Sequence, residues 1–78
     1  MPTVLRSGPY RFFFFSNEGT EPPHVHVESG KGYAKFALEP VEVVFSMGYK
    51  RSELTTLRDL VIENARYFKE EWDAHFHG

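Results

Sequence analysis

Two short alternating segments joined by a glycine-led turn constrain this chain more than any other feature. His24-Val25-His26-Val27-Glu28 places Val25 and Val27 on one side of an extended backbone and His24, His26 and Glu28 on the other. Ser29-Gly30-Lys31-Gly32 follows, and then Tyr33-Ala34-Lys35-Phe36-Ala37-Leu38. Gly30-Lys31 suits a two-residue hairpin turn with Gly first. That turn sets the register: Ser29 faces Gly32, Glu28 faces Tyr33, Val27 faces Ala34, His26 faces Lys35, Val25 faces Phe36 and His24 faces Ala37. Val25, Val27, Ala34, Phe36 and Leu38 then share an apolar face, and His24, His26, Glu28, Tyr33 and Lys35 share the opposite one. Two independent patterns agree on this pairing.

The rest of the chain is read around that hairpin. Gly8-Pro9 is a turn signal. A strand over about 10–16 follows, with Tyr10, Phe12 and Phe14 on one face and Phe13 and Phe15 beside Arg11 on the other. Both faces are apolar, so either the chain covers both or a second chain covers one. Ser16 to Pro23 is a loop whose two prolines stiffen an extended entry into the strand at His24. The hairpin strands run over about 24–29 and 33–38. Glu39-Pro40 ends the second, and residues 41–45 form another strand or a short helical turn.

From about Ser52 the period becomes helical. Leu54, Leu57, Val61, Ala65, Phe68, Trp72 and Phe76 recur at spacings of three and four. Ser52 suits the N-cap, Glu53 the first turn, and Arg66 with Glu70 an i,i+4 pair. A helix over 52–76 is roughly 35 Å long and overhangs a small sheet. His75-Phe76-His77-Gly78 reads as a solvated tail. The expected fold is α+β, a single domain over 1–78. A three- or four-stranded antiparallel meander packs on one long C-terminal helix, with Val25, Val27, Phe36 and Leu38 meeting Leu57, Val61, Phe68 and Trp72.

Composition narrows the function classes. The 78 residues contain no cysteine, which excludes disulfides and thiolate zinc sites. Aromatic residues are 17% of the chain, enough that some rings belong in an interface; Phe13, Phe15 and Trp72 are the candidate partner contacts. A net charge of -2 and a pI near 6.0 do not indicate nucleic acid. No apolar run reaches the ~18 residues of a membrane span, and the N-terminus lacks a signal-peptide layout. The expected location is cytoplasmic.

Chemistry centres on the histidine face. His-x-His on a strand sets two imidazoles on one side, about 6.6 Å apart at the backbone. Such a pair can chelate a divalent metal at ~2.0–2.1 Å. Glu28 is ~13 Å along the strand from His24, so a third ligand must come from elsewhere. Alternatively His24 and His26 move protons at a phosphodiester, with Lys35 and Tyr33 beside them and Lys35 offering positive charge. The plainest reading is that both rings pack and hydrogen bond on a partly exposed sheet face.

The run Glu21-Pro22-Pro23-His24-Val25-His26-Val27 resembles the signature of a family of short bacterial proteins, domain of unknown function 4160. Phe15-Ser16-Asn17-Glu18 before it, Gly32-Tyr33-Ala34-Lys35-Phe36 after it, Arg51-Ser52-Glu53-Leu54 at the helix start and Glu70-Glu71-Trp72 near its end extend the resemblance over nearly the whole chain. The family motif falls on Pro22, Pro23, His24, His26 and Trp72. Phe15 stands where some members have Tyr, which weakens any role for a hydroxyl there. The resemblance implies a bacterial or phage origin and a two-gene, toxin–antitoxin-like arrangement. On that basis the chain is expected to be an interaction domain with a small protein partner or a second copy of itself, and to need no cofactor. The alternatives are a His-dependent RNA- or phosphodiester-cleaving enzyme and a His-x-His metal-binding module.

Overall fold

The Gly30-Lys31 turn lies near the middle of a five-stranded sheet. The computed structural model describes residues 3–77. Its strands are β1 (Thr3–Ser7), β2 (Tyr10–Phe13), β3 (His24–Ser29), β4 (Gly32–Leu38) and β5 (Val41–Met47), followed by helices α1 (Arg51–Glu63) and α2 (Ala65–His77). Each strand pairs antiparallel with the next, in the order β1-β2-β3-β4-β5. The β3–β4 register matches the sequence expectation at all six positions, from Ser29 opposite Gly32 to His24 opposite Ala37.

Four expectations need correction. The sheet has five strands rather than three or four, because Gly8, at φ 57, turns the chain back on a strand formed by Thr3–Ser7. β2 ends at Phe13, short of 16, and β5 runs on to Met47. The helix is two helices, interrupted at Asn64. Asn64 Nδ2–H donates to the Leu60 carbonyl at 2.8 Å, while its backbone N–H reaches the same oxygen at 3.1 Å. An asparagine side chain that competes for main-chain partners is a physical reason for a helix to stop. At the other end the N-cap is Lys50, not Ser52, and the Glu53 carboxylate accepts the Lys50 N–H at 2.9 Å.

The apolar sheet face carries Phe12, Val25, Val27, Ala34, Phe36 and Leu38, all buried. Against it α1 buries Leu57 and Val61, and α2 buries Phe68 and Trp72. Phe68 meets Phe12 with ring centroids 5.3 Å apart, and Trp72 meets Phe14 edge-on at 5.3 Å. Each such fully buried side chain contributes about 1.5–3 kcal/mol relative to exposure. α2 extends to His77, one residue past the expected end; His75 and His77 are exposed, while Phe76 packs on Trp72 at 4.3 Å. The expected Arg66–Glu70 pair is present at 3.5 Å on an exposed face.

The opposite sheet face is ordered in transverse rows, because directly paired residues of antiparallel strands point the same way. One row runs Arg6, Arg11, Glu28, Tyr33, Met47 across all five strands. The next runs Thr3, Phe13, His26, Lys35, Phe45. The loop 14–23 folds back over the second row. Among the described residues no helix is long and apolar enough to cross a membrane.

Candidate metal centre

His24 and His26 project from β3 onto the outer face, as the alternation requires, yet each is only 3% exposed. They are enclosed by the chain itself. Phe13 stacks on His26 at 5.4 Å, Phe15 approaches it edge-on at 4.4 Å, and Tyr33 stacks on its other side at 5.8 Å. Trp72 reaches His24 at 4.8 Å. Phe13 and Trp72, expected as partner contacts, are 2% and 1% exposed and occupied within the chain, while Phe15 is partly exposed. The two apolar faces of the first aromatic strand are thus both covered from within.

The residue that completes the cluster is Glu18. It sits in the loop between β2 and β3, where a turn closed by Glu21 N–H on the Glu18 carbonyl carries its side chain inward. Its Oε2 lies 2.8 Å from His26 Nε2 and 2.9 Å from His24 Nε2. Its Oε1 accepts the Phe15 N–H at 3.0 Å and lies 3.1 Å from His26 Nε2. One ligand-type atom from each of the three residues falls within 4.8 Å of the other two, and all three residues are buried.

The outer nitrogens of both rings are held from behind. His24 Nδ1–H donates to the Pro22 carbonyl at 3.0 Å. A carbonyl only accepts, so Nδ1 carries a proton and Nε2 is the ring nitrogen on the Glu18 side. The 2.9 Å contact from His24 Nε2 to Glu18 is too bent for a hydrogen bond, and this buried atom has no hydrogen-bond partner. His26 Nδ1 is 2.6 Å from the Tyr33 hydroxyl, which can donate or accept. With Tyr33 donating, His26 Nε2–H serves Glu18. With Tyr33 accepting, a neutral His26 has a bare Nε2. A backbone carbonyl and a hydroxyl behind two imidazoles are the outer contacts that set tautomer and aim in metal sites.

The electrostatics suit ligation. Burial pushes His26 below the ordinary histidine pKa, and its contact with Glu18 only partly opposes this. Burial alone would raise the Glu18 carboxyl, but the two imidazoles and the Phe15 N–H outweigh it and hold the pKa below its usual value. Neutral imidazole beside ionised carboxylate is the protonation state a metal needs. Tyr33 is pushed up by burial and by the Glu18 charge. Tetrahedral bonds of ~2.05 Å would set the ligand atoms about 3.3 Å apart, so an ion would spread the present 2.8–2.9 Å contacts by roughly half an ångström.

Lys35 stands opposite His26, but its ammonium turns to Glu21 at 3.3 Å. Glu28, the acid in the alternating strand, points away from the cluster to Arg11 at 2.7 Å. Sequence reasoning missed Glu18, since an acid among Ser, Asn, Gly and Thr looks like a surface charge. The available signal was a loop too short to leave the sheet face on which both histidines lie.

Comparison with curated proteins and with solved structures finds no match. The profile of the family described as domain of unknown function (DUF4160) matches residues 10–73, a span containing Glu18, His24, His26, Tyr33 and Trp72. With well over half of its length matched, the chain belongs to the DUF4160 family.

Proposed function

We propose that this protein is a metal-binding module in which Glu18, His24 and His26 hold one divalent transition-metal ion. The observation that carries this reading is His24 Nε2, a buried ring nitrogen with no hydrogen-bond partner, brought with His26 Nε2 to within 3 Å of one buried carboxylate. Two imidazoles and one carboxylate suit zinc or iron(II), with the remaining positions open to water or an outside ligand. Because both rings are enclosed, the ion ties the 14–23 loop to the sheet, and metal binding becomes folding energy. Acid–base catalysis at a phosphodiester has less support, since a general base must reach its substrate and both Nε2 atoms face Glu18 inside the fold.

Titration of metal-free protein with zinc by calorimetry, and with cobalt(II) by visible absorption, tests the proposal. One ion per chain should bind, with tetrahedral or five-coordinate cobalt bands and shifted imidazole resonances for His24 and His26. Absence of saturable uptake would defeat it.

A second reading, a protein-binding role in a two-gene pair, is favoured by a different observation. Val44, Phe45 and Met47 on the edge strand β5 are 58%, 51% and 59% exposed. Co-purification with the product of the adjacent gene, lost in Phe45→Asp but kept in His24→Ala, supports it; retention by Phe45→Asp contradicts it.

A further inference from the structure

The outer face carries a second feature that the histidine cluster does not use. Arg6 on β1 and Arg11 on β2 are directly opposite, so their side chains share a face. Like charges in that relation repel. The next strand supplies one counter-charge: Glu28 is opposite Arg11, with Oε2 2.7 Å from Arg11 Nη1. Arg11 is fixed further by Nε–H donation to Thr3 Oγ1 at 2.7 Å and by the Phe13 ring, 4.6 Å from the guanidinium carbon. Arg6 is exposed and makes no ion pair among the described residues. Arg6, Arg11, Glu28, Ser29, the Gly30 turn and Tyr33 line a cleft of about 380 Å³. Two guanidinium groups and one carboxylate are its charged lining, which leaves one positive charge unanswered.

We propose that this cleft binds a phosphate ester of mononucleotide size. Arg6 is the recruiting cation, and Arg11 is the pre-set one. A guanidinium presents several N–H donors in a rigid fork that matches phosphate oxygens. The Arg6 fork can meet a phosphate directly, and Arg11, whose Nε–H and Nη1 are held by Thr3 and Glu28, adds its charge from the wall; a phosphate ester, with close to two negative charges, gains more from this pair than a carboxylate with one. Ser29, whose hydroxyl is shared with Tyr49 at 2.9 Å, lies on the same wall. The volume exceeds that of a bare phosphate and falls within the range of small-molecule sites, ~300–1,000 Å³. Glu28 on the wall is an acceptor for hydroxyls on the organic part. Tyr33 lines the cleft while its hydroxyl holds His26. The proposal stands without the metal centre, because no lining residue is one of the three ligands.

The test is an NMR titration of the full, metal-free chain with adenosine 5′-monophosphate, inorganic phosphate, adenosine and acetate. The monophosphate and phosphate should shift the amides of Ser29, Gly30 and Gly32 and the Arg11 Nε–H saturably; adenosine and acetate should not. Arg6→Gln, at an exposed position where folding is preserved, should weaken monophosphate binding by about tenfold or more, and Arg6→Lys should recover part of it. Acetate binding as well as phosphate, absence of saturable shifts, or unchanged affinity in Arg6→Gln would each overturn the proposal.

Discussion

Replacing Glu18 by Gln separates a carboxylate kept for a metal from one kept for the fold. The amide has the same shape, so Oε1 can still accept the Phe15 N–H at 3.0 Å. An NH2 in the place of Oε2 would lie 2.8 Å from His26 Nε2 and 2.9 Å from His24 Nε2. One of its hydrogens would face the His26 Nε2 lone pair once Tyr33 accepts from His26 Nδ1. The variant gives up charge-assisted hydrogen bonds, worth about 1.5–3 kcal/mol. Against that, it no longer buries a charge and it can still donate to His26 Nε2. The two effects nearly cancel, and the metal-free variant should melt within about 5 °C of wild type, roughly 1 kcal/mol for a chain of this size. With metal the two proteins diverge. Zinc at a hundred times its Kd stabilises wild type by about 2.7 kcal/mol. Losing a ligand weakens binding by more than the ~10–100-fold seen for outer-contact changes, so at the same zinc the variant gains no more than about 0.4 kcal/mol. Thermal melts with and without zinc measure both quantities. An equal zinc-dependent gain in both proteins, or a collapse of the metal-free variant, would refute the reasoning.

Tyr33→Phe removes the 2.6 Å hydrogen bond and leaves a buried His26 nitrogen without a partner; it should cost about 1–3 kcal/mol in urea melts and weaken zinc roughly 10–100-fold by calorimetry. The folded-state pKa values of His26 and Glu18 are both depressed, so each contributes stability above its unfolded value that is lost as pH falls. Metal-free stability should therefore decline on acidification from about pH 6.5 as His26 is forced to charge, and again below the ordinary carboxylate range as Glu18 protonates; urea midpoints flat from pH 7 to 4 would contradict this. Trp72→Ala empties a site in contact with Phe14, His24 and Phe76; it should cost about 3–5 kcal/mol and loosen the metal centre, seen as faster exchange of the His24 amide.

The hairpin was legible because period-two alternation and a Gly-first turn are both local and redundant, and a slip by one residue would send every side chain to the wrong face. The two histidines and Tyr33 came with it. Glu18 did not, because its role depends on the β2–β3 register, with Phe13 opposite His26, and on the path of the loop between them. β1 escaped notice since an edge strand with two apolar residues, Val4 and Leu5, carries little pattern. The break at Asn64 was hidden for the opposite reason. Val61 and Phe68 keep helical phase across it, and the hydrophobic stripe is blind to an interruption that the asparagine alone announces. The burial of Phe13 follows from the returning loop, which no count of aromatic residues reveals.

All three members of the Glu18–His24–His26 cluster fall between residues 18 and 26, with Glu18 and His26 only eight apart. Closing so short a loop costs little chain entropy, and the cost grows only slowly with length. The centre is thus a nearly self-contained cassette: one loop, two prolines and one strand. Transplanted onto another antiparallel pair whose neighbouring strand offers a hydroxyl at the Tyr33 position, the segment brings its carboxylate, both imidazoles and a backbone brace for His24, and asks the host for the aromatic cover that Phe13 and Trp72 provide here.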